Sequence, residues 1–73
     1  MIPYKDVDGD SNVEAYEIYP TAIAVKFNGP DKIYVYSYSS AGMSNVEQMK
    51  RLAQSGDGLN SYINTYCKYN YER

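Results

Sequence analysis

Alternation of apolar and polar side chains in the middle of the chain constrains the fold more than any other feature. Residues 21–28 place three large apolar side chains, Ile23, Val25 and Phe27, at every second position. This period of two is typical of a strand with one buried face. The Asn-Gly-Pro-Asp sequence at residues 28–31 then indicates a turn, because its Asn-Gly step readily adopts positive φ. The chain must therefore form a strand and then reverse.

The segments on either side extend this pattern into a meander. Residues 12–19 alternate imperfectly and stop at Pro20, which predicts a first strand with a bulge. Residues 32–39 predict a third strand with tyrosines on one side, Tyr34, Tyr36 and Tyr38. Because the connections between the three strands are short, we expect them to pair in antiparallel order.

Helical spacing replaces the alternation in the second half of the chain. The Ser-x-x-Glu sequence at residues 44–47 fits a capping box, and Gly56 stands where the helix should end. Apolar side chains recur between them at helical intervals, at Val46, Met49, Leu52 and Ala53. A second, shorter helix is indicated by Leu59, Tyr62, Ile63 and Tyr66. The prediction is an α+β domain, a three-stranded antiparallel β-meander followed by two α-helices (β-β-β-α-α) on one sheet face.

The shortage of aliphatic side chains assigns some tyrosines to the core. The chain of 73 residues has ten tyrosines, whereas Val, Ile, Leu, Met and Phe together number sixteen. Ordering the chain costs on the order of 100 kcal/mol of conformational entropy. Sixteen side chains that contribute about 1.5–3 kcal/mol each offset only part of this cost. Packing in the core is therefore favoured for at least Tyr34 and Tyr36.

Composition also excludes much chemistry. The chain has no His and one Cys, so it has no imidazole base, no catalytic triad, no intrachain disulfide and no multi-thiolate zinc site. We predict that it is not an enzyme and uses no cofactor. No apolar run reaches the length of a signal peptide or a membrane span, and Cys67 is unpaired. These observations predict a cytoplasmic protein with no membrane partner.

Charge divides the chain into two parts. Residues 1–20 carry five acidic side chains and one lysine, whereas residues 21–73 carry six basic and four acidic side chains. We predict a flexible acidic leader over 1–10 and a single domain over 11–73, of which residues 21–73 are faintly basic. This bias is weaker than the clustered basic stripe of strong nucleic-acid binders.

Three short motifs resemble functional sites but are better explained without a ligand or a reaction. Asp6, Asp8 and Asp10 with Glu17 match the acidic positions of a calcium loop, but Ser11 stands where that loop needs Gly and no helix precedes it. A solvated leader is the better interpretation. The Gly-x-Gly sequence at residues 56–58 opens a helix, as anion-binding loops do, but a helix-to-helix turn explains both glycines. Cys67 has Lys68 beside it but lacks the His or the pair of cations that would favour a reactive thiolate, and it is expected to be a half-buried apolar residue.

Two groups of residues are candidates for binding. If Tyr34, Tyr36 and Tyr38 face solvent, they resemble the ring platforms that bind single-stranded nucleic acid; if they face the helices, they are core. The C-terminal segment mixes amides, rings and a cation, with the candidates Asn60, Tyr62, Asn64 and Lys68. It continues through Tyr69 and Tyr71. Such a surface suits RNA or a protein partner.

The pattern from Ser11 to Tyr71 resembles the KTSC domain. The matching residues are Ser11, Asn12 and Val13, then Ile23, Val25 and Phe27, then Tyr34 and Tyr36, then Gly58, Leu59, Asn60 and Ile63. The chain differs from many members of that family in having no Pro at residues 40–42 and few basic residues near its end. The family occurs as small bacterial or phage proteins and at the C-terminus of some lysyl-tRNA synthetases. The resemblance implies a domain of unknown function for which RNA binding has been proposed.

Together these observations predict a small, tyrosine-rich, non-enzymatic binding domain. The first hypothesis is that the domain binds RNA, either single-stranded or structured. The alternative is a protein–protein interaction or accessory docking domain, which the net charge of −2, the missing basic stripe and an exposed sheet edge favour.

Overall fold

The computed structural model describes residues 1–5, 12–29 and 32–72. Within these residues it is an α+β fold with an antiparallel sheet in the order β1-β2-β3-β4. The strands are β1 (Ile2–Pro3), β2 (Val13–Tyr19), β3 (Ala22–Phe27) and β4 (Ile33–Ser37). The helices are α1 (Tyr38–Ala41), α2 (Met43–Ser55) and α3 (Leu59–Tyr62), and α3 continues directly into a π-helical turn over Ile63–Cys67.

The central strands form as their alternation predicts. Tyr16, Val25 and Tyr34 lie in line across β2, β3 and β4. The next aligned row of the same face brings Ile23 opposite Tyr36, and both are almost fully buried. The predicted bulge in the first strand lies between Val13 and Ala15, where the pairing register with β3 shifts.

A fourth strand joins the sheet from the segment predicted as a leader. Ile2 pairs with Tyr16 and Pro3 with Ala15, and Tyr4 is buried in the core. Two residues are too few to show alternation, and their pairing partners are distant in sequence, so local patterns give no sign of this strand. Pro3 suits an edge position because it has no N–H to offer a further strand. The remaining part of the leader, residues 6–10, lies outside the described residues.

The helices begin differently from the prediction, and there are three among the described residues instead of two. The capping box predicted at residues 44–47 is wrong, because α2 begins at Met43 and has no side-chain cap. The capping box lies one helix earlier. The Ser40 N–H donates to Ser37 Oγ (3.1 Å), and the Ser37 N–H donates to Ser40 Oγ (3.0 Å). This reciprocal pair turns the chain from β4 into α1.

The predicted end of the main helix is confirmed. Gly56 has φ 78°, in the left-handed region, and its N–H donates to the Leu52 and Ala53 carbonyls. The left-handed residue ends α2 and turns the chain toward α3.

The core lies between the inner face of the sheet and the helices. Three of its members, Val46, Met49 and Ala53, come from α2 at the predicted helical spacing. Leu59, Ile63 and Cys67 add a buried stripe from the last helix. Tyr4, Tyr16 and Tyr36 are buried with them, so tyrosine does supply part of the core. No helix among the described residues has the length and apolar character needed to cross a membrane.

Candidate functional site

A pocket of about 330 Å³ opens between the sheet and the C-terminal part of the chain. One group of lining side chains is aromatic and comprises Phe27, Tyr34, Tyr36, Tyr69 and Tyr71. A second group is polar and comprises Asn12, Lys32, Asn60, Asn64 and Lys68, and Ile63 completes the lining. Strand, helix and tail thus each contribute part of its surface.

Five of the seven predicted binding residues meet at this pocket. They are Tyr34, Tyr36, Asn60, Asn64 and Lys68. They come from two segments more than twenty positions apart in sequence, because the last helix packs across the inner face of the sheet. The two candidate groups of the sequence therefore form one surface.

The other two predicted residues lie elsewhere. Tyr38 was expected to continue the row of Tyr34 and Tyr36, but β4 ends at Ser37 and Tyr38 begins α1. Its hydroxyl donates to Glu47 Oε2 at 2.6 Å. This hydrogen bond raises the pKa of the Tyr38 hydroxyl and lowers that of the Glu47 carboxyl.

Tyr62 lies against α2. Its hydroxyl donates to Asn45 Oδ1 at 2.7 Å, and Tyr62 is not among the residues that line the pocket.

The aromatic wall is a set of rings in mutual contact. The ring centroids of Tyr34 and Tyr71 are 4.7 Å apart, and those of Phe27 and Tyr34 are 5.7 Å apart. Tyr71 also meets Tyr36 edge-on, with centroids 6.4 Å apart and an interplanar angle of 90°. Tilted and edge-on pairs at these distances are favourable. The rings of Phe27, Tyr34, Tyr36 and Tyr71 therefore form one connected cluster.

Tyr36 forms the buried part of this wall. Its exposed fraction is 1%, as the shortage of aliphatic side chains favoured. Burial raises the pKa of the Tyr36 hydroxyl to about 12, with smaller contributions from Cys67, Tyr34 and Tyr71. The hydroxyl therefore stays protonated at neutral pH and can act as a hydrogen-bond donor.

The polar wall belongs mainly to the last helix. The buried stripe of that helix (Leu59, Ile63 and Cys67) faces the core, which directs Asn60 and Asn64 to one flank, where they line the pocket. Neither side-chain amide makes a hydrogen bond to a described residue. Each amide thus keeps its donors and its acceptor available to a ligand.

The charge at the pocket is opposite in sign to that of the whole chain. The charged side chains among the described lining residues are Lys32 and Lys68, whereas the chain carries a net charge of −2. The ammonium group of Lys68 also lies 5.5 Å from the centroid of the Tyr69 ring, a cation–π contact that holds the two side chains together. The pocket therefore favours anions.

The C-terminal tail closes one side of the pocket and is attached to β4. The Glu72 N–H donates to the Val35 carbonyl at 2.6 Å, and the Ser37 hydroxyl donates to the Glu72 carboxylate. These bonds hold Tyr71 against Tyr34. They also cover part of the β4 edge that the sequence predicted to be open.

The sequence interpretation missed Lys32 and Asn12 as site residues. Lys32 precedes Tyr34 and Tyr36 at the same two-residue interval, so continuing the alternation backward would have indicated it. Asn12 gives no such signal, because its place at the pocket depends on how β2 pairs with β3.

The remaining motifs lead to no site among the described residues. Asp6, Asp8 and Asp10 lie outside them, and within them no group of three or more Cys, Asp or Glu side chains is placed to hold a metal ion. Cys67 was expected to be half-buried, but its exposed fraction is 0%, and burial raises the pKa of its thiol.

The outer face of the sheet also carries exposed large apolar side chains. Ile33 is 49% exposed and Tyr19 is 43% exposed. This face lies on the side of the sheet opposite the helices and the pocket.

Comparison of the chain with family models, with curated proteins and with solved structures gave no match. The resemblance to the KTSC domain stays a prediction from the residues quoted above.

Proposed function

We propose that this domain binds single-stranded RNA and holds an unpaired base in the pocket. The observation that carries the proposal is that three kinds of group meet at one place: tyrosine rings in mutual contact, side-chain amides that make no hydrogen bond to a described residue, and two lysines. The resemblance to the KTSC domain supports it independently, and we propose that the chain is related to that family.

Each group at the pocket matches one part of a nucleotide. A base stacked on an aromatic side chain is worth about 1–3 kcal/mol, and every base has a face to stack. The amides of Asn60 and Asn64 offer both donors and acceptors to the edge of a base. Lys32 and Lys68 supply the positive charge that backbone phosphates need.

A single strand fits this site better than a duplex. The pocket volume of about 330 Å³ is at the lower end of small-molecule sites, so it accommodates an unstacked base and not a helix. A duplex would also need a broad basic surface, whereas the described lining residues provide two lysines.

The proposal is for binding without catalysis. The chain has no His, and none of the described residues that line the pocket is a carboxylate, so the commonest kinds of general base are missing from this lining. We further propose a cytoplasmic location, where a lone, buried Cys67 stays reduced.

A salt titration of RNA binding tests the proposal. The assay is fluorescence anisotropy with a labelled single-stranded RNA of mixed sequence. For single strands the logarithm of affinity falls with the logarithm of salt by about 0.7 for each phosphate contacted. Two contacting lysines predict a slope of about −1.4, or about a sevenfold loss of affinity between about 50 and about 200 mM salt.

Lysine variants test whether the salt dependence of binding arises at the pocket. Lys32→Ala or Lys68→Ala should each make the slope shallower, from about −1.4 to about −0.7. Lys26→Ala is the matched control, because Lys26 lies on the outer face, paired with Glu14 at 2.7 Å. Absence of binding at low salt, or equal effects of all three variants, would contradict the proposal.

The second candidate function is protein docking through the outer face. The exposure of Ile33 and Tyr19 favours it. A partner protein that co-purifies after nuclease treatment, is lost with Ile33→Glu and is retained with Lys68→Ala would support this function. Retention by both variants would exclude the outer face as its binding surface.

A further inference from the structure

A second aromatic feature lies on the last helix, away from the pocket. The rings of Tyr62 and Tyr66 are one helical turn apart, with centroids 4.8 Å apart and an interplanar angle of 44°. Tyr66 is 62% exposed, so most of its surface is available. The sequence placed Tyr62 among the binding candidates, and the pocket does not account for it.

This pair of rings is anchored to α2 through Tyr62. The Tyr62 hydroxyl is fixed by its 2.7 Å hydrogen bond to Asn45 on α2. A helical contact between rings four residues apart stabilises a helix by only about 0.2–0.5 kcal/mol, and it gives no reason for the large exposure of Tyr66. An ordered, exposed ring is what a stacking platform requires.

A cation lies beside the pair. Arg51 on α2 donates from Nε and Nη2 to Gln48 Oε1, at 3.2 and 2.7 Å, and its Nη1 group makes no hydrogen bond to a described residue. Burial raises the pKa of the Tyr62 hydroxyl, and the positive charge of Arg51 is near enough to oppose that rise. A guanidinium near Tyr62, held by Gln48, favours a ligand with phosphate groups over a neutral one.

The pair and the pocket occupy opposite flanks of one helix. Asn60 and Asn64 lie on one side of the buried stripe, and Tyr62 and Tyr66 lie on the other. The exposed back of the helix, at Ser61 and Thr65, joins the two flanks. A helix with its side chains is about 10–12 Å across, a distance that a few nucleotides can span.

We propose that Tyr62, Tyr66 and Arg51 form a second stacking site, which takes another nucleotide of the same RNA strand after it crosses the back of the helix. The proposal rests on the proposed function of the pocket. It implies that short and long RNA ligands respond differently to the same substitution.

The test compares two labelled RNAs. One has about two nucleotides and is too short to cross the helix, and the other has about twelve, within the range of known single-strand site sizes. Tyr66→Ala should weaken binding of the longer RNA by roughly 5- to 150-fold, because one stacked base is lost. The affinity for the shorter RNA should change by less than about twofold. Tyr66→Phe should bind the longer RNA as the wild type does, because the face of the ring is kept. Gln54→Ala, at an exposed position of α2, is the matched control.

Failure of this inference and failure of the proposed function give different results. If Asn64→Ala weakens both RNAs and Tyr66→Ala weakens neither, the pocket stands and the second site is excluded. If Tyr66→Ala weakens both RNAs equally, the pair is part of one site and the proposed crossing is wrong. If the wild type binds neither RNA at low salt, both proposals fail.

Discussion

Raising the pH above the normal titration range of tyrosine should destabilise this protein through Tyr36. Burial raises the pKa of its hydroxyl from 10.0 to about 12. A tyrosine with a raised pKa in the folded state contributes stability that is fully present below pH 10, where the unfolded chain keeps its proton. That stability is lost as the pH rises from 10 through about 12, because the unfolded chain then releases the proton first.

The size of the loss follows from the shift. One pKa unit corresponds to about 1.36 kcal/mol, so the two units between 10.0 and about 12 set an upper limit of about 2.7 kcal/mol. The true loss is smaller to the extent that water in the pocket reaches the hydroxyl. A domain of 73 residues has a free energy of unfolding of roughly 4–11 kcal/mol, so a loss near the upper limit is readily measured.

The Tyr36→Phe variant isolates this contribution from the other tyrosines. The assay is urea unfolding followed by circular dichroism, at steps from neutral pH to about pH 12. The difference in unfolding free energy between the wild type and the variant should be constant below pH 10 and should then fall by up to about 2.7 kcal/mol. A difference that stays constant through pH 12 would show that Tyr36 has an ordinary pKa, and the buried placement of its hydroxyl would be refuted.

Three further predictions concern the fold. Ser37→Ala removes both the cap of α1 and the bond to Glu72, and should lower the unfolding free energy by about 1–2 kcal/mol in urea titrations; an unchanged value would contradict the role of the capping box. Gly56→Ala puts a residue with a Cβ in the left-handed region and should lower the unfolding free energy by about 1–2 kcal/mol. A more stable variant would argue against that backbone conformation. Cys67, fully buried and with a raised thiol pKa, should react with a thiol reagent only in unfolding concentrations of urea, and rapid labelling of the native protein would contradict its burial.

The parts of the fold that were predictable come from local periodicity. The alternation of Ile23, Val25 and Phe27 identified the central strand, and Gly56 identified the end of α2. Both signals are short-range, because one residue's backbone preference or one buried face is enough to produce them. The α+β class followed from the change of period between them.

The parts that were missed depend on long-range pairing or on competition between local signals. β1 exists because Ile2–Pro3 meets the edge of β2, which no property of its own two residues reveals. Ser44 does not cap α2 because that helix begins one residue earlier, at Met43, and has Gly42 as its N-cap. The capping box is instead a Ser-x-x-Ser variant at Ser37, which turns the chain into α1 directly after β4. That early turn removed Tyr38 from the tyrosine row.

The candidate site was predictable as two separate parts but not as one surface. The tyrosine strand and the amide-rich tail were each identified by composition, yet their meeting depends on how the last helix packs on the sheet. Lys32 was missed, although it continues the alternation of Tyr34 and Tyr36 backward. Tyr62 shares the composition of the tail but lies on the opposite flank of the helix.

The side-chain amide signals of Asn60 and Asn64 in a heteronuclear NMR titration test the central claim most directly. They report on the polar wall of the pocket itself, and no intramolecular hydrogen bond to a described residue masks their response. With a short single-stranded RNA at low salt, these two signals should shift saturably, while the backbone amide of Tyr19 on the outer face, whose sequence neighbours do not line the pocket, should not. Unmoved Asn60 and Asn64 signals at saturating RNA, or shifts confined to the outer face, would contradict the account.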